Sequence, residues 1–93
     1  MDQKEFLSSY LSDFSLLVKP ELGVVNDLAR VATILADTHR DQGQTFVCGN
    51  GGSAAVASHI TVDLTKNAKL RCMNFNETSL ITCLANDFGY ERC

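Results

Sequence analysis

No stretch of this 93-residue sequence reaches the ~18 uninterrupted apolar residues that a membrane-spanning helix needs. The opening Met1-Asp2-Gln3-Lys4-Glu5 is too acidic for a signal peptide. These absences predict a cytoplasmic protein with no membrane partner. Runs of lysine or arginine are also missing, and the net charge is -3, so nucleic acid is not the expected partner. Lys66, Lys69 and Arg71 make one small basic spot, which reads as a solvated loop. The four cysteines, Cys48, Cys72, Cys83 and Cys93, lie 24, 11 and 10 residues apart. That spacing fits neither a CxxC redox pair nor a zinc knuckle, and predicts free buried thiols. Repeats, low-complexity segments and linkers are lacking, and a chain below the usual ~100–200 residues per domain holds one domain at most.

What is present is organised around Cys48-Gly49-Asn50-Gly51-Gly52-Ser53-Ala54-Ala55. This stretch follows the apolar run Thr45-Phe46-Val47 and opens a helical pattern from Ser53 to about Lys66, which predicts a strand, a glycine turn and a helix start. Three glycines in four positions, 49 to 52, permit positive φ and keep side chains away from the N–H groups. Ser53 falls where a helix N-cap belongs, so the amides of Gly51 to Ala54, including Gly52, form an expected cradle for a phosphate. Gly49-x-Gly51-x-x-Ala54 also satisfies the Gly/Ala variant of the dinucleotide fingerprint, so the glycines alone do not choose between a phosphosugar and a nucleotide. A plain strand-to-helix turn is the third possibility.

Before this turn, Phe6, Leu7, Tyr10, Leu11, Phe14, Leu17 and Val18 recur at helical steps, predicting a helix from about Asp2 to Val18 that ends at Pro20. A second stripe at Val25, Leu28, Ala29, Ala32, Leu35 and Ala36 continues to His39 and Arg40, where positive charge suits the carbonyl end, and Gly43 closes it. Two amphipathic helices over residues 2–42 carry more apolar face than one βαβ unit covers, so they are expected to pack on the sheet and on another subunit. After the turn, Val56, Ile60 and Leu64 form one column facing the sheet. His59 and Asp63 form the next, an imidazole and a carboxylate one turn apart that can share a divalent metal or act as an acid/base pair. A simple surface ion pair is the alternative. Leu70 to Phe75 is the expected second strand, parallel to the first. Asn76 then caps a helix running to Asn86 and Asp87, with Gly89 at its end. The closing Tyr90-Glu91-Arg92-Cys93 reads as the start of another element, and the whole as the front half of an α/β domain.

Cys48-Gly-Asn-Gly-Gly-Ser-Ala-Ala, the helix with His59 and Asp63, and Leu84-Ala-Asn-Asp-Phe-Gly-Tyr together resemble the N-terminal half of the sugar isomerase (SIS) domain, in the branch of the phosphoheptose isomerases. The resemblance covers residues 1–93, with the two leading helices over 2–42 and a β-α-β-α unit over 44–93. It implies a parallel sheet flanked by helices, a homotetramer with active sites between subunits, and aldose–ketose isomerisation of sedoheptulose 7-phosphate. It also implies that Asn50, Gly51 and Ser53 contact the phosphosugar, that His59 is a zinc ligand, and that Asp87 contacts sugar hydroxyls, with no nucleotide cofactor. Asp63 stands where the heptose isomerases carry a glutamate acting as ligand and catalytic base. A non-catalytic phosphosugar-binding or protein-interacting SIS module therefore remains the second reading.

Overall fold

The computed structural model describes residues 1–93. Four helices and a small parallel sheet make an α/β chain: α1 (Gln3–Leu17), α2 (Leu22–Arg40), β1 (Thr45–Phe46), α3 (Gly52–Lys66), β2 (Cys72–Met73) and α4 (Thr78–Phe88), followed by a 3₁₀ turn at Tyr90–Arg92. The chain divides into two compact units, Met1–Thr33 and Ile34–Cys93.

In the first unit the stripe along α1 stays open to solvent. Phe6, Tyr10 and Phe14 are each more than half exposed, and the rings of Phe6 and Tyr10 stack along the helix at 6.2 Å. No residue of α1 or α2 is buried.

The second unit holds the β-α-β-α arrangement. Thr45 pairs with Cys72 and Phe46 with Met73 in parallel register, and the ladder extends through Thr45 N–H to Arg71 O and Val47 N–H to Met73 O, both at 3.0 Å. Parallel strands need a crossover between them, which α3 supplies. Phe46 and Phe75 stack at 5.2 Å beside the ladder.

The face that α3 turns inward differs from the expected Val56–Ile60–Leu64 column. Ala57 is buried, Ala54, Ser58, Thr61 and Leu64 are half-buried, and Val56 and Ile60 are exposed. Small side chains let the helix axis come close, and polar groups hold it there. Asn74 Nδ2 donates to Thr61 Oγ1 at 3.2 Å, Asn76 Nδ2 to Ser58 Oγ at 2.9 Å, and Thr65 Oγ1 to the carbonyl of Cys72 at 3.3 Å. Thr61 Oγ1 itself donates to the carbonyl of Ala57 at 2.8 Å, so the hydroxyl is satisfied on both sides.

Three helix ends also differ from expectation. The left-handed residue that closes α2 is Gln42 (φ 63), and Gly43 contributes its N–H to Thr38 O at 2.8 Å. The N-cap of α3 is Gly51, so Ser53 lies inside the first turn and caps nothing with its side chain. The N-cap of α4 is Glu77, not Asn76: Glu77 Oε1 accepts from Ser79 N–H at 3.1 Å and Oε2 from Leu80 N–H at 2.7 Å. Two backbone donors on one carboxylate, that of Leu80 foremost, hold its pKa below the usual carboxylate range. The cysteines are free as expected, but only Cys72 is partly buried, and Cys48, Cys83 and Cys93 are exposed. No helix is long and apolar enough to cross a membrane.

Candidate functional site

The glycine turn joins β1 to α3, and its glycines serve different purposes. A side chain at Gly49 would run into the backbone of Ser53 and Ala54, so this position lets the loop lie directly against the first turn of the helix. Gly51 adopts φ 57, ψ -121, a conformation that only glycine takes without strain. Around Gly52 there is open space.

The N–H groups are distributed more narrowly than the sequence implies. Ser53 N–H is taken by Asn50 O at 3.0 Å, Ala54 N–H by Gly51 O at 3.0 Å and Ala55 N–H by the same carbonyl at 3.2 Å. The first turn thus uses the donors of Ser53 and Ala54 internally. Gly51 and Gly52 N–H, together with the Ser53 hydroxyl, are the groups left to meet an anion at the positive end of α3.

Beside this loop lies a cleft of about 550 Å³, lined by Val47 to Gly51, Ala54, Ala57, Phe75, Asn76, Ile81, Tyr90, Glu91 and Cys93. Apolar side chains with a few polar groups among them are the usual lining of a small-molecule site. Gly52 and Ser53 face a shallower groove with Val56 and Ile60.

His59 Nε2 lies 3.6 Å from Asp63 Oδ1, with side chains 77% and 52% exposed. Asp63 Oδ1 also accepts from Asn67 Nδ2 at 3.4 Å. The pair could close on one ion from two directions, but no third histidine, cysteine or carboxylate joins it. A zinc site takes at least three protein ligands, so these two residues fit as part of one. Asp87 is bonded near its own helix end, accepting from Cys83 Sγ at 3.6 Å and from Asn86 Nδ2 at 3.2 Å.

Comparison with known proteins gives no matching family model. The phosphoheptose isomerase of Helicobacter pylori strain P12 is 34% identical over 96 aligned positions, covering 96% of this chain and 47% of that protein. That of Akkermansia muciniphila is 31% identical, covering 94% of the chain and 49% of the relative, and that of Cytophaga hutchinsonii is 31% identical, covering 98% and 48%. Over this length the chain is similar to part of the phosphoheptose isomerases. It spans about half the length of the curated relatives it matches. No solved structure matches it significantly.

Of the residues that the phosphoheptose isomerase resemblance marks, the cleft brings together Asn50 and Gly51. Gly52 and Ser53 face the adjoining groove, whereas His59, Asp63 and Asp87 line neither hollow. Tyr90 is the cleft residue that sequence reasoning passed over. Its hydroxyl donates to Asn50 Oδ1 at 2.9 Å, a bond between residues 40 apart. The signal available was the aromatic residue closing the third motif, at the start of a segment that the sequence assigned to a new element.

Proposed function

We propose that this chain is the phosphosugar-binding, N-terminal part of a SIS-type parallel-sheet domain, and that its reaction is the aldose–ketose isomerisation of sedoheptulose 7-phosphate. The observation that carries this is the similarity to phosphoheptose isomerases across nearly the whole chain, which includes the loop with free Gly51 and Gly52 N–H groups. In the proposed complex the phosphosugar meets Asn50, Gly51, Gly52 and Ser53, and Asp87 meets sugar hydroxyls. Homotetramer assembly in the cytoplasm belongs to the same proposal, supported by the apolar faces that α1 and α3 leave exposed.

Isomerisation moves a proton between adjacent carbons through an enediolate, so it needs a base and a group that stabilises the developing oxyanion. His59 and Asp63 would supply two ligands to a zinc ion, with Asp63 alternatively taking the proton. Bound there, zinc would supply the electrophile for the enediolate. The remaining ligands would come from outside these two side chains.

The second reading, a phosphosugar-binding regulatory module without catalysis, is favoured by one specific feature: Asp63 stands where the resemblance places a glutamate, so its carboxylate is one methylene shorter. Calorimetric titration with sedoheptulose 7-phosphate beside an isomerase assay separates the two. Binding with turnover supports the isomerase, binding without turnover supports the module, and absence of binding rejects both.

A further inference from the structure

A carboxamide has one acceptor oxygen and one NH₂ group that donates twice. In Asn50 the oxygen accepts from the Tyr90 hydroxyl, and Nδ2 makes no hydrogen bond within the chain. Both residues line the cleft beside Gly51. Tyr90 reaches this position because Gly89, at φ 90 and ψ 147, turns the chain out of α4 into the short 3₁₀ turn closed by Arg92 N–H to Gly89 O at 3.1 Å.

We infer that Tyr90 is a positioning residue, which holds the Asn50 carboxamide with its NH₂ group free to donate to an anionic, oxygen-rich ligand at the glycine loop. The inference rests on the phosphosugar reading of that loop. An unheld asparagine presents oxygen or nitrogen by a half-turn of its terminal torsion, and the two faces differ in size hardly at all. With the carbonyl outward, Asn50 would repel a phosphate oxygen. With the carbonyl satisfied by a phenolic proton, its two remaining donors add to those of Gly51 and Gly52, and the loop becomes uniformly a donor surface.

The test uses the full chain and inorganic phosphate, with sedoheptulose 7-phosphate in a parallel titration. The side-chain amide signals of Asn50 in nitrogen-resolved NMR are expected to be well dispersed and to collapse toward free-carboxamide positions in Tyr90→Phe. Phosphate affinity should fall about fivefold in that variant, the loss of one hydrogen bond's worth of orientation, with the melting temperature nearly unchanged. Asn50→Asp keeps an acceptor for Tyr90 but removes the donors, and should abolish phosphate binding. Free-carboxamide signals for Asn50 in the parent chain, or equal phosphate affinity for the parent and Tyr90→Phe, overturn the inference. If the parent binds neither ligand, the phosphosugar reading fails by itself, and the Asn50 signals still decide whether Tyr90 sets the orientation.

Discussion

The backbone N–H of Arg71 donates to His39 Nδ1 at 3.1 Å, joining the entry to β2 to the last turn of α2 across 32 residues. A ring nitrogen that accepts carries no proton, so His39 meets Arg71 through the lone pair of Nδ1. The Arg71 side chain returns over the same helix end, with Nε donating to Gly43 O at 3.0 Å and its terminal nitrogen to His39 O. Positive charge at the carbonyl end of α2 is thus provided by Arg71 from a distant segment, and His39 serves as an acceptor. The basic spot expected to be a solvated loop contains a structural clamp.

Arg71→Ala should therefore lower the stability of the second unit by about 1 kcal/mol, a modest figure because the bonds are solvent-exposed. Arg71→Lys keeps the charge but cannot fork between two carbonyls, and should recover only part of the loss. Urea melts of the three proteins check this. Identical midpoints for parent and Arg71→Ala would remove the clamp from the account.

Substitutions along the glycine loop should separate stability from binding. A Cβ at Gly49 would sit 2.8 Å from Ala54 N and closer still to the Ser53 backbone, atoms that cannot move aside without disturbing the helix. Gly49→Ala is expected to cost about 2–3 kcal/mol. At Gly51 the space is open but the φ of 57 is unfavourable to a side chain, and Gly51→Ala should cost about 1–2 kcal/mol. Gly52→Ala meets nothing. It should leave the melting temperature intact while weakening sugar-phosphate binding, because the added methyl group occupies the space in front of the free N–H groups. Equal melting temperatures for all three variants would contradict this order.

The order of helices and strands was legible because periodicity and glycine placement are local properties of the chain. The inward face of α3 was not, for a reason visible in Thr61 and Ser58. Apolarity pointed to Val56, Ile60 and Leu64, but the hydrogen bonds to the segment after β2 come from small residues, Thr61 and Ser58, whose hydroxyls meet Asn74 and Asn76, and no local pattern announces those partners. Asn76 looked like the cap of α4 because asparagine is a common cap; its side chain is engaged with Ser58, and the longer Glu77 caps the helix instead. Within the site, the glycine loop showed in the sequence as a contiguous motif. Tyr90 did not, since its partner lies 40 residues away.

The Glu77 cap gives a definite acid dependence. Its carboxyl is held below the usual range by the N–H groups of Leu80 and Ser79, so the folded-state pKa lies under the unfolded one. The stabilisation is fully present above the unfolded value and disappears as pH falls through the folded value. Glu77→Gln, which loses the charge but keeps one acceptor, should be less stable than the parent at neutral pH and converge with it in acid. Urea midpoints measured across that range test the point. A difference that persists unchanged at low pH would assign it to something other than the charged cap.

With Ala57 the one buried apolar residue, the chain gains little from its own core, and Phe6, Tyr10, Phe14 and Val56 all remain more than half exposed. Short chains that bury so little apolar surface are marginal alone. Self-association is expected for the isolated 93 residues. A sharp monomeric sizing peak combined with cooperative thermal unfolding would refute it.

The length of one side chain bears most directly on catalysis. Asp63 approaches His59 to 3.6 Å at the position where the phosphoheptose isomerase resemblance places a glutamate, and the aspartate withdraws the carboxylate by one C–C bond, ~1.5 Å. A general base or metal ligand displaced by that much can lose ~10²-fold in rate while substrate binding survives, because in the proposed complex the phosphate would be held elsewhere, at Gly51 and Gly52. The protein is therefore expected to bind sedoheptulose 7-phosphate but to turn it over slowly, and Asp63→Glu should raise kcat more than it changes affinity. Zinc added to the assay should increase the rate of Asp63→Glu more than that of the parent, since the longer carboxylate can reach an ion shared with His59 without moving the helix. Fast, metal-dependent isomerisation by the parent together with loss of rate in Asp63→Glu would show that the backbone already compensates for the missing methylene, and that the aspartate is the fitted base.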